Sequence, residues 1–152
     1  MNHITLRVNG TTHRVGVAED TLLLDALRDD VGVTSAREGC GVGVCGACTV
    51  LCGGRSVSAC LAVATRYDDT DITTADGLDE NDPVVSSFVD SNAMQCGYCI
   101  PGFVMMTKEL LSENPAPSDD EITAHLEGNI CRCATYPEIL EAVRLAATRS
   151  NT

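Results

Sequence analysis

Residues 39–48 read Gly39-Cys40-Gly41-Val42-Gly43-Val44-Cys45-Gly46-Ala47-Cys48. Three cysteines spaced C-x4-C-x2-C are interleaved with glycine, and a fourth, Cys60, follows downstream. A thiolate is a soft ligand for iron. In a [2Fe–2S] cluster each tetrahedral iron shares two bridging sulfides, so it needs two protein thiolates and the cluster needs four. A loop that wraps such a cluster must come close and turn its N–H groups toward sulfur, which glycine permits.

The spacing is the plant-type ferredoxin one. A second set, Cys96, Cys99, Cys131 and Cys133, is spaced C-x2-C-x31-C-x-C. One pair stands just before a helix signalled by Pro101, the other just before one starting near Tyr136 or Pro137. Helix N-termini carry partial positive charge and suit an anionic thiolate cluster. Structural zinc in two Cys₄ sites is the rival reading. The four-residue gap, the dense glycine and the C-x-C pair fit zinc less well. The ninth cysteine, Cys52, lies among Val50 and Leu51 on an expected strand. It reads as a small buried hydrophobe, with replacement of Cys60 as its alternative role.

Outward from the loop, residues 1–76 alternate as strands. Ile4, Leu6 and Val8 lead to the turn Asn9-Gly10, and Val15 and Val17 return. Asp20 is expected to cap a helix through Leu23, Leu24 and Leu27 that stops near Gly32. Ala47 to Cys52 and Arg55 to Ala59 flank Gly53-Gly54 as a second hairpin, and Ile72-Thr73-Thr74 is a last short strand. Residues 77–152 read as helices opened by Pro83 and Pro101 and by two capping-box spacings, Ser118/Glu121 and Thr135/Glu138. The change of rhythm near Asp76–Asp82 divides the chain into 1–76 and 77–152.

Gly41 to Gly46 also matches G-x-G-x-x-G. It joins no strand to a helix in a βαβ unit and contains an expected metal ligand, so a dinucleotide site is rejected. His3, His13 and His125 lie apart on segments expected to be exposed. Met105-Met106 reads as core. The chain of 152 residues carries a net charge of −12 and one lysine, Lys108. That balance argues against nucleic acid and anionic membranes. There is neither a signal-like N-terminus nor an apolar run long enough to span a membrane, so a cytoplasmic setting is expected. Reduced thiols there point to metal rather than disulfides.

Several stretches together resemble the iron–sulfur subunit of the molybdenum hydroxylases, the xanthine dehydrogenase, aldehyde oxidoreductase and carbon monoxide dehydrogenase group. They are Gly39-Cys40-Gly41, Cys45-Gly46-Ala47-Cys48-Thr49-Val50, Gln95-Cys96-Gly97-Tyr98-Cys99, Pro101-Gly102-Phe103 and Gly128-Asn129-Ile130-Cys131-Arg132-Cys133. The resemblance implies an α+β chain: an N-terminal β-grasp, ferredoxin-like domain, then a C-terminal four-helix-bundle domain, with one [2Fe–2S] cluster in each. It implies an electron-transfer role from a large molybdenum–pterin subunit to a medium FAD subunit. The assembly would be a hetero-oligomer, for instance a dimer of heterotrimers. It places Gln95 and Cys133 against the partner's pterin and assigns no catalytic residue to this chain. The rival function is a free-standing ferredoxin-type carrier, which would need only the first cysteine set. Two departures from the family pattern stand out: Val42 and Val44 in the first loop, and Ala134-Thr135 after the C-x-C pair.

Overall fold

The computed structural model describes residues 1–151. Strands β1 (Asn2–Val8) and β2 (Thr11–Val17) pair antiparallel with Val8 opposite Thr11. Asn9 and Gly10 both take positive φ, 50° and 79°. That is the tight turn whose twist matches two antiparallel strands. Strict alternation sends Ile4, Leu6, Val8, Val15 and Val17 to one buried face.

Helix α1 (Leu23–Asp25) runs on as a wide π-type turn through Ala26–Val31 and stops at left-handed Gly32. The expected Asp20 cap does not form, because the first-turn donors find tertiary partners. Leu23 N–H donates to Ala62 O at 2.7 Å and Leu24 N–H to Ala59 O at 3.1 Å. Leu22 also bridges to Val63.

β3 (Thr49–Cys52) and β4 (Arg55–Ser58) form the second hairpin, and β5 (Thr70–Thr73) completes the sheet. The order is β2-β1-β5-β3-β4. β1 and β5 are parallel and the other neighbours antiparallel. One face of this mixed sheet holds α1, the β-grasp arrangement. Leu6, Leu23, Leu24, Leu27, Val50 and Ile72 fill that core together with Cys48 and Cys60.

The second core lies among α2 (Pro83–Asp90), α3 (Ile100–Glu113), α4 (Asp119–Leu126) and α5 (Tyr136–Ser150). Phe88, Phe103, Met105, Ile122 and Ile139 are its largest fully buried side chains. Burial of each stabilises by about 1.5–3 kcal/mol. Leu51 of β3 belongs to this core while its neighbour Val50 belongs to the first. The period of two along one strand thus joins sheet and helices back to back.

Asp82 caps α2 by accepting from Val84 N–H, and Lys108 of α3 reaches Asp82 at 2.8 Å. Ser118 and Glu121 make the full expected capping box on α4. Thr135 makes no such box on α5. His125 is not exposed as expected. Its imidazole is half-buried, 3.3 Å from the buried Glu109 carboxylate but not aligned with it as a hydrogen bond. Glu109 also accepts from Ser56 N–H at 2.7 Å, tying α3 to β4. Among the described residues no helix is long and apolar enough to cross a membrane.

Candidate metal centres

The loop from α1 to β3 carries Cys40, Cys45 and Cys48, and Cys60 follows β4. Arg28 fixes the start of the loop by donating to Thr34 O at 3.1 Å and Ala36 O at 2.8 Å. Val42 and Val44 N–H both point at Cys40 Sγ, each at 3.4 Å. These donors pull the Cys40 thiol down to about 6, toward the thiolate a metal requires. Cys40 also meets the Cys45 side chain. Cys48 and Cys60 are buried in the first core and meet each other. Burial pushes the Cys48 thiol up to about 11. Cys45 lies close enough to Cys48 for its charge to matter there, so the four thiols form one group. Gly39 lets the backbone pass close beside them, since a Cβ there would stand 2.9 Å from Cys45 Sγ and displace it.

The second set assembles from the two ends of the helical half. Cys96 is exposed and meets the Cys133 side chain. Its pKa is lowered, chiefly by the Tyr98 N–H and then by Cys133. Cys99 is buried at the start of α3 and meets Cys131. Burial pushes Cys99 up to about 12. Burial also raises Cys131, but hydrogen bonds outweigh it and the net shift is downward. The Thr135 hydroxyl lies 3.1 Å from Cys131 Sγ, which is why it is not free to cap α5. The Tyr136 hydroxyl oxygen accepts from Cys131 N–H at 2.8 Å, and the Tyr136 ring stands edge-on to Phe103.

The thiols therefore meet in twos: Cys40 with Cys45, Cys48 with Cys60, Cys96 with Cys133, Cys99 with Cys131. Among the described residues no three His, Cys, Asp or Glu side chains converge on a single-ion position. Two facing pairs per set fit a dinuclear cluster, which takes two thiolates on each iron. N–H and O–H donors aimed at sulfur fit its negative charge. Cys52 stands apart, buried on β3, with its thiol pushed up to about 12 by burial alone. Gln95 is exposed immediately before Cys96.

Both loops touch. Arg37 donates to Gly97 O at 2.6 Å and lies over the Tyr98 ring, 5.3 Å from its centroid. Tyr98 O–H donates to Glu38 O at 2.7 Å. Ile130 N–H donates to Cys45 O at 2.9 Å. A cavity of roughly 220 Å³ is lined by Cys40 and Cys45 on one side and Cys96, Cys99 and Cys131 on the other. The contacts of Arg37, Tyr98, Thr135 and Tyr136 were not legible in the cysteine spacing. The signals for them were nearness in sequence to a cysteine and, for Tyr98, its place in a stretch that resembles the family.

The "2Fe-2S iron-sulfur cluster binding domain" family matches residues 6–78, and the "[2Fe-2S] binding domain" family matches residues 74–144. The nicotinate dehydrogenase small FeS subunit of Eubacterium barkeri is 43% identical over 98% of this chain and 98% of its own. The chain belongs to the small iron–sulfur subunits of the molybdenum hydroxylases. Like other members of that family, it is the electron-transfer subunit of a multi-subunit oxidoreductase and binds [2Fe–2S] clusters. Solved members share its shape. Quinoline 2-oxidoreductase from Pseudomonas putida 86 superposes with a TM-score of 0.94 at 35% identity, over 99% of this chain and 96% of that one. The aldehyde oxidoreductase from Desulfovibrio desulfuricans gives 0.94 at 39% identity, with 99% of this chain matching 17% of a much longer one. The same fold thus occurs in that enzyme as one segment of a longer polypeptide.

Proposed function

We propose that Cys40, Cys45, Cys48 and Cys60 hold one [2Fe–2S] cluster and that Cys96, Cys99, Cys131 and Cys133 hold a second. The observation that carries this reading is the meeting of eight thiols in two groups of two pairs each. When bound, each cluster supplies a one-electron couple. The chain's own groups set the surroundings. Val42, Val44 and Tyr98 N–H and the Thr135 hydroxyl point at sulfur and favour added negative charge. Residues 1–76 and 77–152 act as the two units, each building one site.

The helical unit takes electrons first, from a molybdenum–pterin subunit whose pterin lies against Gln95 and Cys133. The sheet unit passes them to an FAD subunit. Supporting this arrangement, exposed apolar residues surround each loop: Val42, Val44 and Leu61 at the first, Met94, Tyr98 and Ile130 at the second. Apolar patches beside a redox loop are what permanent partners bury. The complete enzyme is a hetero-oligomer in the cytoplasm.

Stopped-flow spectra of the assembled enzyme test the order. In a Cys45→Ser enzyme, substrate should still reduce molybdenum and the helical-unit cluster, while flavin reduction becomes very slow. Cys99→Ser should act one step earlier and leave the sheet-unit cluster oxidised. Fast flavin reduction in an assembled Cys45→Ser enzyme lacking its first cluster would refute the order.

A further inference from the structure

The two loops approach each other over bare backbone. Gly46 stands between ligands Cys45 and Cys48, and Asn129 lies two residues before Cys131. Asn129 is only 5% exposed, and its carboxamide donates through Nδ2 to Gly46 O at 3.3 Å. Gly46 has a φ of 72°, and a Cβ on it would fall 2.3 Å from Asn129 Nδ2. From α3, Gly102 closes on the same carbonyl, where an added Cβ would meet Gly46 O at 2.1 Å. Beside this contact Ile130 N–H donates to Cys45 O at 2.9 Å. That hydrogen bond joins the residue next to Cys131 directly to a ligand of the other set. It is a bonded route from Sγ of Cys45 to Sγ of Cys131 with one hydrogen bond in it.

We propose that Asn129 is a positioning residue for transfer between the two clusters: by clamping Gly46 it fixes the separation of the loops and holds Ile130 on the Cys45 carbonyl. The inference rests on the ligand sets proposed above. In the transfer itself one electron leaves a reduced cluster and enters an oxidised one. No bond is broken and no proton is required, so the chain's contribution is distance and coupling. A nearly buried side chain that sets that distance controls the step without being a ligand.

The test uses the full chain carrying both clusters. Iron and labile sulfide are measured first. The fully reduced protein is then examined by electron paramagnetic resonance for the splitting that two nearby reduced clusters impose on each other. Asn129→Ala should keep both clusters and their separate potentials while the splitting shrinks and inter-cluster transfer slows several-fold. Gly102→Ala, which forces the same contact apart without altering Asn129, should shift the splitting in the same direction. Unchanged splitting in both variants overturns the proposal. Loss of a cluster from Asn129→Ala overturns it too, since the residue would then serve cluster assembly. If the unsubstituted chain holds fewer than two [2Fe–2S] clusters, the ligand sets themselves fail, and that result is distinct from either variant outcome.

Discussion

Cys52 and Cys60 show what a single residue's surroundings decide. Both are buried and lie in the first core, but Cys60 meets Cys48 whereas Cys52 meets no other cysteine. Cys52→Ala should leave iron and sulfide content unchanged and cost about 1 kcal/mol of packing, read by thermal unfolding. Cys60→Ala should lose the first cluster. The strand position of Cys52 among Val50 and Leu51 favours a small buried hydrophobe in the sequence but leaves replacement of Cys60 open there. Ala134 was not readable in the same way. The sequence marks it only as a departure from the family pattern, whereas the structure places it at φ 63°, a left-handed conformation that a Cβ resists. Ala134→Gly should therefore raise stability by about 1 kcal/mol without altering the cluster signals. A lowered melting temperature would show that the backbone there is not strained.

Secondary elements were most legible where the partner of each donor is local. The capping box on α4 is a contact within four residues, so Ser118 and Glu121 could be paired from spacing alone. The Glu121 carboxyl is held below its ordinary range, first by the Ser118 N–H and then by the Ser118 hydroxyl. Asp119 in the same turn is lowered by Arg144 of α5, which it meets at 2.6 Å. Ser118→Ala should cost about 1 kcal/mol, measured by denaturant unfolding. Because both carboxyls have depressed pKa values in the fold, their contribution is fully present above the unfolded carboxylate range. It is lost as pH falls through the lowered folded values. The α4–α5 contact should therefore loosen only in acid, below about pH 4. Amide exchange along α4 would detect this, and loosening near neutrality would contradict it. The expected caps of α1 and α5 do not form, for different reasons: the α1 donors have distant partners, and the α5 cap residue turns its hydroxyl to a nearby cysteine. Leu23 and Leu24 N–H go to Ala62 and Ala59, and the Thr135 hydroxyl goes to Cys131. No local window contains the α1 pairings, whereas the Thr135–Cys131 contact spans only four residues and competes locally with the cap.

On the scale of the whole chain, two small cores meet back to back across β3, and each builds one cysteine site at a shared seam. The grouping of the cysteines into two sets and the change from strands to helices could be read from spacing and periodicity. The seam could not, because Arg37 with Gly97, Tyr98 with Glu38 and Asn129 with Gly46 pair residues more than fifty positions apart. Cores this small gain stability from bound metal, so removal of iron should lower the unfolding temperature of the whole chain. The most direct test of the account is metal and sulfide analysis of the purified chain, coupled to paramagnetic resonance after reduction. Two [2Fe–2S] clusters require four irons and four labile sulfides per chain and two distinguishable signals, since an N–H-rich glycine loop and a site at helix starts differ around sulfur. Zinc without labile sulfide, or a single signal at half that iron content, would contradict it.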